Sequence, residues 1–142
     1  METPAILLPA VILAAWTMVM WAWLYATRIP AMKKSGMMDG DGSRITSKTL
    51  DEALPPQVQW KAHNYNHLHE APTVFYAIAL LLALIGHGDG LNAALAWAYV
   101  ALRIIHSLVQ ATVNKVMLRW AIFMGSSLVL IALIIRAGLA LI

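Results

Sequence analysis

The sequence contains no cysteine and little charge. Only 12% of its 142 residues are charged and 61% are hydrophobic, whereas a soluble domain has about 25% charged and roughly 45–50% apolar residues. The absence of cysteine excludes disulfides, thiolate metal sites and a cysteine nucleophile. So much apolar sequence with so few charges indicates an integral membrane protein.

Four long apolar runs account for the excess of hydrophobic residues. The spans predicted from them cover about 5–27, 60–86, 91–113 and 118–142, with a polar loop at 28–59 and two short links between the others. Each run is close to the ~20 residues that a spanning helix needs. The first run is too long for the apolar core of a signal peptide, so we expect it to be a span. The sequence therefore predicts one all-α membrane domain with four transmembrane helices.

Prolines mark the boundaries that are hardest to place. Arg28 and Pro30 are predicted to end the first span. The second span becomes apolar only at Ala71, so its helix is predicted to begin near Val58 with a polar first part. Pro72 then lies inside it, and because proline removes one backbone hydrogen bond we expect a bend there.

Positive charge is distributed unevenly between the loops. The N-terminus and the turn between spans two and three have no Lys or Arg, and the short link between spans three and four has Lys115, with Arg119 beside it. Six of the ten basic residues lie in the first loop and the polar start of the second span: Arg28, Lys33, Lys34, Arg44, Lys48 and Lys61. Basic loops favour the cytoplasm, so both termini are predicted to lie outside it. We interpret the net charge of +3 as a topology signal and expect no nucleic-acid partner.

Arg103 is a charged residue within the third apolar run, about thirteen residues from its start. A charge at that depth costs at least ~2.5–3.5 kcal/mol, so the side chain is expected to face the bundle interior and to have a partner. One interpretation is a structural ion pair with Glu70. The other is a buried site for an anion.

Polar residues at helical spacing surround Arg103. The predicted cluster contains Arg103, His106 and Gln110 on one face of span three, His63, Asn66, His67 and Glu70 on one face of span two, and Arg119 at the start of span four. Such groups are not stable against lipid, so they are expected to face one another or a neighbouring subunit. Two arginines and a glutamate suit a ligand with carboxylates and an amine. An arginine beside a thiol also favours the thiolate.

A metal site is the alternative for part of this cluster. His63, His67 and Glu70 share one helix face and are metal-binding residue types. Only His106 is a plausible further ligand within the membrane. We therefore interpret these histidines as groups that solvate the start of a helix, and we expect no metal.

Two motifs resemble the membrane-associated proteins in eicosanoid and glutathione metabolism, the MAPEG family. The first is Arg103-Ile-Ile-His106-Ser-Leu-Val-Gln110, followed by Arg119. The second is His63-Asn-Tyr-Asn66-His-Leu-His-Glu70-Ala-Pro72, at the start of span two. The resemblance implies a left-handed four-helix bundle that assembles as a homotrimer. It also implies that glutathione, as co-substrate, binds between adjacent subunits near the cytoplasmic face.

The resemblance also implies roles for individual residues. Arg119 matches the arginine that stabilises the glutathione thiolate and is the predicted catalytic residue. The implied glutathione-binding residues are Arg103, His106, Asn66, Glu70, Gln110, Arg28 and Lys61. The sequence departs from the family at Gln110, where many animal members have tyrosine, and in the spacing of Asn66 and Glu70, which is four residues and not three.

The expected function is that of a membrane glutathione transferase or peroxidase-like enzyme in a bacterial inner membrane. Its partners would be a second and third copy of the chain, glutathione, a lipophilic electrophile and membrane lipid. One alternative is a non-catalytic relative that binds a lipid or a protein partner, which Gln110 keeps open. The other is a small transporter that uses Glu70 for coupling, although the first span has no charge and Arg103 would hinder a cation path.

Overall fold

The computed structural model describes residues 3–142, and within that range the chain is helical without strands. The helices are α1 (Leu7–Lys34), α2 (Ser47–Ala53), α3 (Pro56–His67), α4 (Ala71–Leu84), α5 (Leu91–Thr112) and α6 (Val116–Leu139). Four segments are long and apolar enough to cross a membrane: α1, α3 with α4, α5 and α6. The predicted all-α membrane fold with four spans is thereby confirmed.

The first span ends later than the sequence predicts. α1 continues through Arg28 and Pro30 to Lys34, so the prediction that these two residues end the helix is wrong. Pro30 removes only the hydrogen bond to the carbonyl of Ala26, and Ala26 is exposed, where a polar environment can satisfy that group. Lys33 and Lys34 lie in the last turn, where positive charge stabilises a helix. The polar loop is correspondingly shorter and contains α2.

The second span is interrupted just before Pro72. α3 ends at His67 and α4 begins at Ala71, and Leu68, His69 and Glu70 between them form a turn that belongs to neither helix. A continuous helix would need a backbone N–H at position 72 to bond the carbonyl of Leu68, and proline has none. Pro72 instead occupies the first turn of α4, where the missing N–H costs nothing. The expected bend is present and takes the form of a break.

α1 and α5 lie at the centre of the bundle, and the other long helices pack against them. α1 contacts α3, α4 and α5, while α6 packs against α5 and α4. Leu13, Phe75, Tyr99 and Leu133 are fully buried, and the rings of Phe75 and Tyr99 stack with centroids 4.6 Å apart. Large apolar side chains are exposed along the outer faces of all four spans, as expected for surfaces that contact lipid.

The N-terminal segment is fixed to the turn between α4 and α5. The N–H of Ile6 donates to the carbonyl of Gly88 at 2.8 Å, and that of Ala5 donates to Asp89 Oδ1 at 2.8 Å. A Cβ at position 88 would lie 2.6 Å from the Cβ of Pro4. Only glycine therefore fits at position 88. This contact lies near the start of α5, whereas Arg119 follows the end of α5, so the two are at opposite ends of the bundle.

Candidate functional site

A polar cavity lies where the break between α3 and α4 meets the end of α5 and the start of α6. Its volume is about 340 Å³. The lining residues are His63, His67, Glu70, His106, Gln110, Val116, Arg119, Trp120 and Phe123. The structure thus brings together four predicted site residues: Glu70 from the break, His106 and Gln110 from α5, and Arg119 from α6. The walls combine one cation, one anion, three imidazoles and an amide with apolar side chains from α6.

Arg119 is held in this cavity by the link between α5 and α6. Its Nη1 donates to Asn114 Oδ1 at 2.6 Å. Asn114 has a φ of 48°, in the left-handed region that asparagine tolerates better than most residues. That conformation lets the Asn114 N–H donate to the carbonyl of Val109 at 2.7 Å while its side chain receives the guanidinium. The hydrogen bond to Asn114 therefore fixes the position of the Arg119 guanidinium in the cavity.

Arg103 lies behind the cavity wall and is fully buried. Its Nη2 donates to the carbonyl of His67 at 3.3 Å, a group at the helix break, and its guanidinium lies 5.8 Å from the centre of the Phe123 ring. Among the residues that the structure describes, Nε and Nη1 of Arg103 have no hydrogen-bond partner. Across residues 3–142 no carboxylate lies within ion-pair distance of it. The structural pair with Glu70 does not form, because Glu70 Oε2 lies 2.8 Å from His67 Nδ1 instead.

An aromatic cluster separates Arg103 from the cavity. The rings of His67 and His106 lie 5.0 Å apart, and both contact Phe123, at 5.4 and 6.1 Å. His106 is 2% exposed. Within residues 3–142, neither its Nδ1 nor the buried side-chain oxygen of Gln110 has a hydrogen-bond partner. These unpartnered groups around the cavity leave hydrogen-bonding capacity for a polar ligand.

A hydrogen-bond cluster that the sequence did not predict lies beside the cavity. The hydroxyl of Ser107 accepts from Trp16 Nε1 at 2.9 Å and from the buried amide of Asn64. This cluster joins α1, α3 and α5. Its signal in the sequence was two further polar residues, Asn64 beside His63 and Ser107 beside His106.

Arg28 and Asn66 lie in a second, smaller cavity of about 160 Å³ between α1, α2 and α3. Arg28 Nη2 donates to Gln59 Oε1 at 3.2 Å, and Gln59 Nε2 donates to Asp51 Oδ1 at 2.6 Å. His63 borders both cavities, and its Nε2 lies 3.0 Å from Asp51 Oδ1. The hydrogen bonds from Gln59 and His63 hold the pKa of Asp51 below its usual range.

Two predicted site residues, Arg28 and Asn66, are thus separated from the larger cavity, and two others, Arg103 and Lys61, line neither cavity. Asn66 and Glu70 were predicted to share a helix face, but the break after His67 removes that relationship. Lys61 lies over the ring of Trp23 at 5.3 Å and donates to the carbonyl of Gln57 at 2.8 Å.

No three His, Asp or Glu side chains converge as metal ligands in the part of the chain described.

These features define a multi-pass helical membrane protein with a charged cavity at one end of its bundle. The model of the MAPEG family matches residues 6–139, and the chain belongs to that family. Membership supports a membrane function of the glutathione transferase or eicosanoid type at the level of the family. No curated protein and no solved structure matched the chain.

Proposed function

We propose that this protein is a membrane glutathione transferase or peroxidase-like enzyme that conjugates or reduces lipophilic electrophiles with glutathione. The observation that carries the proposal is the cavity in which Arg119, tethered by Asn114, lies among Glu70, His106 and Gln110. A cation in the first turn of a helix opposes the helix dipole. The position of Arg119 is therefore unfavourable for stability alone and favours a role in binding an anion.

Arg119 would stabilise the thiolate of glutathione. A unit charge about 4 Å from another contributes about 4 kcal/mol at an effective dielectric constant of 20, and about 1.4 kcal/mol corresponds to one pKa unit. Arg119 is only half-buried, so solvent screens part of this attraction. In conjugation the sulfur forms a bond to the electrophilic carbon, the leaving group departs with its electron pair, and the thiol proton has already passed to water.

The remaining polar groups suit the ends of the tripeptide. The carboxylate of Glu70 complements an ammonium group, and Gln110 and His106 offer neutral hydrogen bonds. Arg103 would contribute positive potential from behind the aromatic cluster. On the α6 side, Val116 and Trp120 are 64% and 57% exposed on an otherwise apolar surface. That side gives a lipophilic electrophile an apolar route from the bilayer to the sulfur.

A homotrimer is part of the proposal. If glutathione binds between adjacent subunits, Arg28 and Asn66 can contribute from a neighbouring subunit although they face a separate cavity within one chain. The cavity end is proposed to face the cytoplasm of a bacterial cell, with both termini on the other side of the inner membrane. Native mass measurement in mild detergent should show three chains, and a fully active monomer would contradict an intersubunit site.

The test is the ultraviolet difference absorbance of the glutathione thiolate, followed against pH. The wild type should form thiolate near neutral pH. Arg119→Lys retains the charge but loses the fork geometry, so its thiolate should form at higher pH. Arg119→Gln should bind glutathione as the thiol. Arg136→Gln is the matched control, since Arg136 lies at the other end of α6.

Superimposable titrations for wild type and Arg119→Gln would remove Arg119 from the mechanism. A calorimetric titration with glutathione distinguishes the enzyme from a non-catalytic relative that binds lipid or a protein partner. Absence of glutathione binding by the wild type would favour that relative.

A further inference from the structure

The short helix α2 covers the smaller cavity without being embedded in the protein. Ser47, Leu50 and Asp51 line the cavity, yet none of the seven residues of α2 is buried. The chain before α2 contains Gly36, Gly40 and Gly42, and glycine gives a backbone unusual freedom. After α2, Leu54 is 4% exposed and is followed by Pro55 and Pro56. The helix is thus anchored at its C-terminal end by buried Leu54 and connected at its N-terminal end through a segment that contains three glycines.

Asp51 provides the polar contacts between α2 and the rest of the bundle. Its Oδ1 receives the amide of Gln59 at 2.6 Å and lies 3.0 Å from His63 Nε2. The other polar side-chain contacts of α2 with the described residues are local. Thr46 and Thr49 form a capping box, and Lys48 lies 3.9 Å from Glu52. One carboxylate oxygen therefore holds α2 against α3.

The titratable partner of Asp51 on α3 is a histidine, His63, whose side chain is about half exposed. Histidine is the residue type whose charge ordinarily changes between pH 5 and pH 8. On the side of the smaller cavity it faces Arg28 from α1 and Asp51 from α2. The titratable groups that share the larger cavity with it are His67, Glu70, His106 from α5 and Arg119 from α6. Among the carboxylates of residues 3–142, Asp51 is the one in contact with His63.

We propose that α2 is a lid whose latch is the contact between Asp51 and His63, closed at mildly acidic pH and released as pH rises. When His63 is protonated, the contact is an ion pair supported by a hydrogen bond. When His63 is neutral, only the hydrogen bond is left. Asp51 stays ionised throughout, because its pKa is held below its usual range.

The latch would regulate access to the glutathione site, and in that respect it rests on the proposed function. His63 forms part of the wall of both cavities. Release of α2 would therefore expose the smaller cavity, and it would also free the His63 side chain between the two cavities. Arg28 and Asn66 would then be accessible at higher pH, which is also where thiolate forms more readily.

The chain has no cysteine, so one introduced thiol reports on the lid directly. Leu50→Cys places the thiol on the cavity side of α2, and Lys48→Cys places a reference thiol where the native side chain is 85% exposed. The purified full-length variants in detergent are alkylated with a charged maleimide at pH 6 and pH 8. At each pH, the alkylation rate at position 50 is divided by the rate at position 48, because this division corrects for the fraction of thiol that is ionised.

The rate at position 50 relative to position 48 should be lower at pH 6 than at pH 8 by roughly two- to five-fold, as expected for a single exposed ion pair. Asp51→Asn and His63→Gln should each raise the ratio at pH 6 and remove its pH dependence. Glu52→Gln, which changes the neighbouring carboxylate on α2, should leave both unchanged.

Equal ratios at the two pH values would overturn the latch, as would a pH dependence that persists in Asp51→Asn. The experiment contains no glutathione. Its failure is therefore distinguishable from failure of the proposed function, which the thiolate titration measures.

Discussion

Replacing Arg103 with methionine should change the free energy of unfolding of the ligand-free protein by less than about 2 kcal/mol. The substitution removes a hydrogen bond from a charged donor, worth about 1.5–3 kcal/mol, and a contact with the Phe123 ring worth about 0.5–2 kcal/mol. The hydrogen bond is long, at 3.3 Å, which favours the lower values. The substitution also removes a buried charge, whose effective desolvation cost is several kcal/mol. These contributions oppose each other.

A buried ion pair between Arg103 and Glu70 would give a different result. Breaking such a pair costs about 3–5 kcal/mol, because the remaining charge is left uncompensated. In the structure Glu70 is 66% exposed and contacts His67. Glu70→Gln should therefore have nearly the same effect on stability in the wild-type and Arg103→Met backgrounds.

The assay is reversible unfolding in mixed detergent micelles for the wild type, both single variants and the double variant. A coupling energy below about 0.5 kcal/mol is expected for residues that do not share an interaction. A coupling above about 1 kcal/mol, or a loss of 3 kcal/mol or more in Arg103→Met alone, would show that the two side chains pair in the protein and would refute this reasoning.

Three further predictions concern the hydrogen bond from Arg119 to Asn114, the close approach of Gly88 to Pro4, and the membrane topology. Asn114→Gly keeps the backbone conformation accessible but removes the amide from Arg119, so the pKa of bound glutathione should lie between the values in wild type and Arg119→Gln. Gly88→Ala should destabilise the protein by about 1–3 kcal/mol through overpacking against Pro4, whereas Gly138→Ala, which meets nothing within 4 Å, should not. A reporter fused at the C-terminus should be active only outside the cytoplasm; activity inside would place the cavity on the opposite side.

The sequence predicted the fold well because apolar length is a direct requirement of the bilayer. The same reasoning gave the bend at Pro72 but misplaced the end of the first span at Pro30. The two prolines differ in their surroundings. The carbonyl left free by Pro30 belongs to an exposed residue, whereas Pro72 follows a segment where α3 and α4 separate.

The site was predicted less completely because helical periodicity assumes an unbroken helix. Across the break, Asn66 and Glu70 no longer share a face, and they line different cavities. The hydrogen bond between Asn114 and Arg119 depends on the positive φ of Asn114 in a loop. Helical periodicity in a sequence carries no information about loop conformation. Residues within intact helices, such as His106 and Gln110 on α5, lie together as their spacing indicated.

The break before Pro72 also affects how the protein fits its membrane. α4 has 14 residues, which at about 1.5 Å per residue gives a rod of about 21 Å, against a hydrocarbon thickness of about 30 Å. The polar residues of α3 must therefore supply the rest of the second span, with Glu70 below the level of the headgroups. Lipids beside this span meet a hydrophobic length about a third shorter than that of a typical bilayer, so the bilayer thins locally or its headgroups descend toward the cavity.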